Sequence, residues 1–390
     1  MTPASLITRR CCIWLRPARR TFSNTITQAP HKDPQLTNNS ELRAIVNSFP
    51  TTGVEYAFGY GSGVLKQQSS SAGMVDIILA VDDPYSWHRR NLQSHPHHYS
   101  GFARVGGARF VSWMQSLGAR LYFHPFVDVD ITLNNGDGAE ANKTQTTIQR
   151  EIKYGVVSTD DLIEDLKCWK YLYLAGRMHK PTVEIDFIST PLDHHEERIM
   201  QEQIPLSRRD EVAEAQHQNL LAAVSASILL HGGGDNKDSV SILQLYNTIA
   251  GISYAGDIRM QTGAEDPNKV KKLVETPGMQ GLWDDMYFTI FRDMESLGIL
   301  TKEDLKLELD LSDIAMRKKL LQNLPKRLQK DEIAASDGSI IRGTELLRTE
   351  LAKIVAPAAK SQSIKGFFTA GVSKSLKYAM AKFAKGRLKK

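Results

Sequence analysis

The chain has 390 residues, 41% of them hydrophobic and 24% charged, which is enough apolar material for one large or two modest cores and excludes a disordered or fibrous protein. Its longest apolar stretch, Leu220 to Leu230, is eleven residues, well short of the roughly 18 needed to cross a bilayer. The net charge of +5 is unevenly spread: residues 1–30 carry five arginines and no acid, residues 351–390 carry ten Lys/Arg and no acid, and residues 31–350 are left at −10. A protein that binds nucleic acid through a broad basic face is therefore not expected.

Only three cysteines occur, Cys11, Cys12 and Cys168, too few for a disulfide framework or a four-cysteine zinc site, and a reducing compartment fits. Residues 1–30 read as a mitochondrial transit peptide: Arg9, Arg10, Arg16, Arg19 and Arg20 alternate with Ile7, Ile13, Trp14 and Leu15, with Ser and Thr throughout. A run of apolar positions at Leu42, Ile45, Val46 and Phe49 predicts a helix closed by Pro50. Val54–Tyr60 and Met74–Val81 predict two strands joined through Gly61-Ser62-Gly63.

The His-rich stretch His88–Ser100 reads as a polar loop in which one histidine meets a phosphate, because His95-Pro96-His97-His98 lacks metal-ligand spacing. Arg104–Gly118 predicts a helix, and Leu121–Val129 and Ile152–Val157 predict strands. Leu162–Met178 predicts one long helix capped by Thr159-Asp160-Asp161, and Val183–Ile188 a further strand. From residue 194 onward the pattern is mostly helical, over 208–230, 238–250, 268–275, 282–297, 313–324 and 343–354. The fold class expected is α+β. At the C-terminus, Val372, Leu376, Met380 and Phe383 recur at helical steps among Lys374, Lys377, Lys382, Lys385 and Arg387, a basic amphipathic helix suited to an anionic membrane surface or to the acidic middle of the chain.

The chemistry concentrates at Gly61-Ser62-Gly63 and Asp76. Small residues let a turn approach phosphate oxygens closely, and a carboxylate on the neighbouring strand can hold Mg²⁺, the arrangement that nucleotidyl transfer needs. Asp76 is the firmest candidate, as catalytic and metal-binding residue, with Ser62. Asp82 shares its strand face but lies six residues away, and Glu184, Asp186, Asp128 and Asp130 are other carboxylates to consider. Lys66, Lys153 and Tyr154 are candidates for the nucleotide, Arg177 and Lys180 for a lipid phosphate, while Trp169 and Tyr173 read as core.

Taken together, Tyr60-Gly61-Ser62-Gly63, Asp76 with Val81-Asp82-Asp83-Pro84, Trp87-His88, Asn91, His98-Tyr99-Ser100, Ile152-Lys153-Tyr154-Gly155-Val156, Leu162-Ile163-Glu164-Asp165-Leu166, Ala175-Gly176-Arg177, Gly256-Asp257-Ile258-Arg259 and Lys365–Gly371 resemble the mitochondrial translocator assembly and maintenance family of matrix-side CDP-diacylglycerol synthases. The resemblance covers about 45 to 375. It implies a nucleotidyltransferase-fold domain, here 31–193, a helical domain of winged-helix type, 194–355, and a membrane-associating tail, 356–390. It also implies the partners CTP and phosphatidic acid, Mg²⁺ as cofactor, and peripheral attachment to the mitochondrial inner membrane on the matrix side, with no nucleic acid bound.

One departure stands out: the general nucleotidyltransferase pattern has a second acid two residues after the first, and this chain has Ile78 there. That position favours a rival reading as a non-catalytic assembly factor for inner-membrane translocases. A nucleotidyltransferase acting on RNA is the other rival, opposed by the −10 middle.

Overall fold

The computed structural model describes residues 39–65, 74–135, 144–188, 207–231, 240–261, 265–296, 301–303, 306–308, 313–334 and 340–370. The expected transit peptide, Lys66 and the basic C-terminal helix from Val372 onward lie outside them.

The first half of the chain gives α1 (Asn39–Asn47), β1 (Val54–Tyr60), β2 (Val75–Val81), α2 (Pro84–Ser94), α3 (Gly101–Ser116), β3 (Tyr122–Asn135), β4 (Thr144–Ser158), α4 (Thr159–Cys168), α5 (Ala175–Met178) and β5 (Thr182–Glu184). The strands form one mixed sheet in the order β3-β4-β2-β1-β5. The two expected strands β1 and β2 are neighbours and pair antiparallel, and β2 and β4 run parallel. Alternation along the strands divides the side chains between two layers. On one face Ala57, Ile77, Leu79, Ile152, Tyr154 and Val156 meet Leu42, Ile45 and Val46 of α1 and Trp87 of α2. On the other, Phe58, Ile78, Ala80 and Val157 meet Leu162 and Leu166 of α4.

The second half gives α6 (Arg208–His231), β6 (Val240–Ser241), α7 (Ile242–Ile252), α8 (Ile258–Gln261), α9 (Lys269–Glu275), α10 (Met279–Ser296), β7 (Thr301–Glu303), β8 (Lys306–Glu308), α11 (Ile314–Gln322), α12 (Asp331–Ala334) and α13 (Ile340–Ala370). β6, β8 and β7 pair as a small antiparallel sheet. The molecule is thus a mixed α+β structure, and among the described residues no helix is long and apolar enough to cross a membrane. The apolar stretch at 220–230 is the inner half of α6, with Ala222 through Leu229 all buried, the expected state of a helix that is apolar all round. One apolar cluster runs from the sheet face through α6 into the helical half, so the two halves share a core.

Three elements differ from the sequence expectation. His88–Ser100 is not a loop: Asp83 accepts from the amides of Ser86 (2.9 Å) and Tyr85 (3.3 Å), and Pro84 occupies the first turn of α2. The helix expected over Leu162–Met178 breaks at Trp169, which is left-handed at φ 48°. Its cause is the buried Asp165, whose carboxylate accepts the amides of Tyr171 (2.7 Å), Leu172 (2.8 Å), Tyr173 (3.1 Å), Leu174 (2.9 Å) and Ala175 (3.0 Å) and winds the chain around itself. Finally, α13 runs to Ala370 through Pro357, across the expected boundary at 355, because Val355, Ala358 and Ala359 are buried and tertiary packing outweighs the lost hydrogen bond.

Candidate active site

Register places the central residues. Tyr60 on β1 pairs with Asp76 on β2, and Asp76 pairs with Lys153 on β4, so the three side chains stand in a row on one face of the sheet. Gly61 follows Tyr60 at φ 79°, a left-handed conformation that suits glycine, and its carbonyl accepts the amides of Val64 (3.1 Å) and Leu65 (2.9 Å). A Cβ at Gly61 would lie 3.4 Å from Asp76 Oδ2. The turn and the carboxylate therefore do meet in space, with Ser62 exposed at the tip of the turn. Lys153 Nζ is 3.4 Å from Asp76 Oδ1.

Beneath Lys153 lies an aromatic floor. Gly155 has no side chain, and a Cβ there would come within 2.9 Å of Phe123 and 2.8 Å of Ile78. The gap lets the Phe123 ring slide under Lys153, whose Nζ is 4.5 Å from the ring centre. Arg177 closes the opposite side, its guanidinium 4.3 Å from the ring of Tyr173, 5.3 Å from Tyr60 and 5.6 Å from Phe123. Its Nη1 donates to the Tyr173 carbonyl and its Nη2 to the Tyr173 hydroxyl, both at 3.3 Å. The Asp165 wrap sets where Tyr173 and Arg177 stand. The Tyr60 hydroxyl is buried and has no hydrogen-bond partner among the described residues.

Further cations reach the cleft from α5 and the helical half. Lys180 Nζ donates to the Gly176 carbonyl (2.5 Å) and to Ser253 Oγ (2.7 Å) and lies 5.0 Å from the Tyr254 ring. Lys269 lies 5.9 Å from the same ring. Arg259 grips the buried Asp257, with an Nη2–Oδ2 distance of 2.6 Å. The field is strongly positive: burial, then the charges of Arg177 and Lys269, hold the Lys180 ammonium well below the usual lysine range. Lys153 behaves oppositely, since burial works against its charge but the facing Tyr60 and Asp76 outweigh it and hold its pKa up.

Other expected site residues stand elsewhere. Asp82 is at the far end of β2, its amide bonded to the Gly53 carbonyl (2.8 Å), because six residues of strand span about 20 Å; it does not join Asp76. Glu184 and Asp186 both hold Arg209, and Asp128 and Asp130 stand in register with Glu151 and Gln149 farther along the β3–β4 ladder. Ile78, in the position of the missing acid, is fully buried core.

Tyr154, expected beside the nucleotide, points to the opposite face, as alternation after Lys153 demands. It stacks on His124 with ring centres 4.3 Å apart, and its hydroxyl bonds to Asn91 Nδ2 and His98 Nδ1, each at 2.9 Å. His88 sits in the same layer between the Tyr99 hydroxyl (2.9 Å) and Gln115 Oε1 (2.8 Å), and burial pulls its pKa to about 4. His88 and His124, whose pKa values burial lowers, pack on the sheet face opposite Asp76 and Lys153.

Sequence reasoning missed Phe123, Tyr173, Asp165 and Lys269. The glycine in Lys153-Tyr154-Gly155 was the available signal for Phe123, whereas the others depend on the wrap and on the packing of the helical half.

As a metal site, the arrangement offers one carboxylate. Among the described residues no three His, Cys, Asp or Glu side chains gather. That suits a Mg²⁺ that arrives on nucleotide phosphates and takes one protein carboxylate, rather than an ion caged by protein alone.

A family profile described as "Phosphatidate cytidylyltransferase, mitochondrial" matches residues 42–385. The chain belongs to this family. It is 34% identical over 363 residues to the mitochondrial phosphatidate cytidylyltransferase of Bos taurus, covering 88% of this chain and 93% of that one. To the protein of the same name from Xenopus laevis it is 33% identical over 368 residues, 88% of this chain and 94% of the other. With that of Schizosaccharomyces pombe the identity is 31% over 399 residues, 95% and 88% of the two chains.

Proposed function

We propose that this protein transfers CMP from CTP to phosphatidic acid, giving CDP-diacylglycerol and pyrophosphate for mitochondrial cardiolipin synthesis. The observation that carries the reading is the row Tyr60–Asp76–Lys153 beside Gly61, facing Arg177 across an aromatic floor, in a member of the phosphatidate cytidylyltransferase family.

In the reaction an ionised phosphate oxygen of phosphatidate attacks the α-phosphorus of CTP, and the bond to the pyrophosphate oxygen breaks. The nucleophile already carries its charge, so the demands are position and charge neutralisation rather than a general base. The turn at Gly61, Ser62 and Gly63 receives the triphosphate. Lys153 neutralises charge at the reacting phosphorus from its seat on Phe123, and Lys66, three residues after Gly63 in the sequence, is a second candidate for a phosphate. Arg177 and Lys180 receive the phosphatidate headgroup. A Mg²⁺ brought by CTP and held by Asp76 supplies further neutralisation on the phosphates.

The mixed sheet with its turn and acid supports a nucleotidyltransferase-type first domain, and the small β6-β8-β7 sheet beside α7, within a helical half, supports a winged-helix reading of the second. Peripheral attachment on the matrix side of the inner membrane, with the tail on anionic lipid, completes the proposal.

Labelled CTP incubated with the purified protein and phosphatidic acid is expected to yield lipid-extractable label only when Mg²⁺ is present, with EDTA abolishing it. Label in RNA, or none anywhere, would overturn the reading in favour of an RNA-directed enzyme or an assembly factor.

A further inference from the structure

α3 presents an apolar crest to solvent. Val105 is 92% exposed, Phe102 68% and Trp113 57%, and Leu117, just after α3, and Ile364 of α13 are exposed as well, on the two segments that Lys365 ties together. These side chains are connected: Phe102 and Phe110 line a shallow groove with Ser100, Met114, Tyr122 and Thr369, and the Phe110 and Trp113 rings are 5.8 Å apart. Val105 stands just before a kink at Gly107, which is left-handed at φ 65° with open space where a Cβ would be. Exposed apolar residues scattered singly need no explanation, but a contiguous set containing Trp and Phe does.

Three observations select the occupant. α3 carries Arg104 and Arg109 and no acid, so the helix that bears the crest is itself purely basic. Tryptophan beside arginine is the chemistry of a bilayer interface, where the ring buries its body and keeps its N–H wet while the arginine stays with the headgroups. α13 also ends here: Thr369 borders the groove, and residues 371–390 bring seven Lys/Arg and no acid. The junction is fixed, since Lys365 Nζ donates to the carbonyls of Leu117 (2.6 Å), Leu121 (3.0 Å) and Gln115 (3.4 Å) and ties α13 to the end of α3. From Thr369, α13 runs back about 25 Å to Ala352, which packs on Gly256 beside the Asp257–Arg259 pair of the cleft.

We infer that the α3 crest, Phe102, Val105 and Trp113 with Leu117 and Ile364, is a face that inserts into an anionic bilayer and keeps the protein on the surface that carries its lipid substrate. This rests on the proposed activity toward phosphatidate. It assigns membrane contact to a folded surface of the body, in addition to the basic tail.

Trp113 reports directly once Trp14, which lies outside the described residues, is replaced by Phe, because Trp87, Trp169 and Trp283 are fully buried. With the Trp14→Phe full chain and phosphatidylcholine vesicles doped with phosphatidic acid, brominated acyl chains should quench tryptophan emission, and adding Trp113→Phe should abolish the quenching. The triple variant Phe102→Ser, Val105→Ser, Trp113→Ser should lose turnover on those vesicles roughly tenfold, the equivalent of 1.4 kcal/mol. Its turnover on monomeric short-chain phosphatidate should match the parent. Absence of quenching, unchanged vesicle turnover, or an equal loss on both substrates would overturn the inference, as would quenching-free assembly of the chain into dimers that the triple variant abolishes. If the parent transfers no CMP at all, the proposed activity fails, while the quenching result still decides the surface.

Discussion

Lys153 Nζ lies 3.4 Å from Asp76 Oδ1, each side chain contributed by one of two adjacent parallel strands at matching register. Both are partly open to solvent, so the contact adds little to stability. Its consequence is functional: the pair presents one negative and one positive group, side by side, to whatever enters from the turn at Gly61. Lys153→Met should fold normally and lower CMP transfer by about 10²–10³, the cost of removing one preorganised charge from a reacting centre. Steady-state turnover with circular dichroism as the folding control checks this, and a loss below tenfold would place Lys153 outside the chemistry.

Lys180 makes nucleotide or phosphate binding depend on pH. Burial and the nearby charges of Arg177 and Lys269 hold its pKa well below 10.5 in the free protein, and an arriving anion favours the protonated form. Binding should take up a proton, and affinity should weaken as pH rises above the free-state value, by at most about tenfold per pH unit. In the free protein the unfolded chain binds more protons than the folded one between that value and 10.5, so this lysine makes stability rise with pH across the window. Calorimetry in buffers of different ionisation enthalpy measures the uptake, and Lys180→Met should remove both slopes.

Asp165 is the organiser of the Arg177 wall. Its carboxylate satisfies five consecutive amides from Tyr171 to Ala175, and Asp165→Ala leaves them without that acceptor. A loss of about 3 kcal/mol or more in urea unfolding is expected, together with lost activity. Asp165→Asn, which keeps one acceptor oxygen, should fall between the parent and the alanine variant.

Gly61→Ala tests the turn. The backbone cost of a left-handed alanine is about 1–2 kcal/mol, and the added methyl would lie 3.4 Å from Asp76 Oδ2. Turnover should drop more than thermal stability does, because the methyl narrows the gap between turn and carboxylate. A melting-point change without a change in turnover would contradict the placement of the triphosphate there.

Much of this site could be read from residue order, and the reason is local. A strand, a small-residue turn and a second strand place two neighbouring strands, as a hairpin or a helix-linked pair, so Gly61, Asp76 and their neighbourhood followed from the pattern around 54–81, and the antiparallel direction came from the structure. Lys153 and Arg177 carried enough charge among apolar neighbours to be noticed. The alternation rule already excluded Tyr154 from the face of Lys153, and strand rise already separated Asp82 from Asp76. What could not be read was tertiary. A single buried carboxylate, Asp165, converts one apparent helix into a wrap that aims Tyr173 and Arg177, and Lys269 and Arg259 become part of the cleft only because the helical half packs on the sheet. The helix signal at Asp83-Pro84 was present in the sequence, but the histidines that follow it suggested a polar loop. Their burial under the sheet reflects hydrogen bonds to Tyr99, Tyr154 and Gln115 that no spacing rule encodes.

The central claim is that Asp76 works on the phosphates of CTP. Removing its charge while keeping its shape tests that most directly: CMP transfer to phosphatidic acid by Asp76→Asn, alongside the parent, at saturating CTP and Mg²⁺ and with matched thermal unfolding. The account predicts a fall of at least about 10³ with an unchanged fold. Turnover within a few-fold of the parent would contradict it.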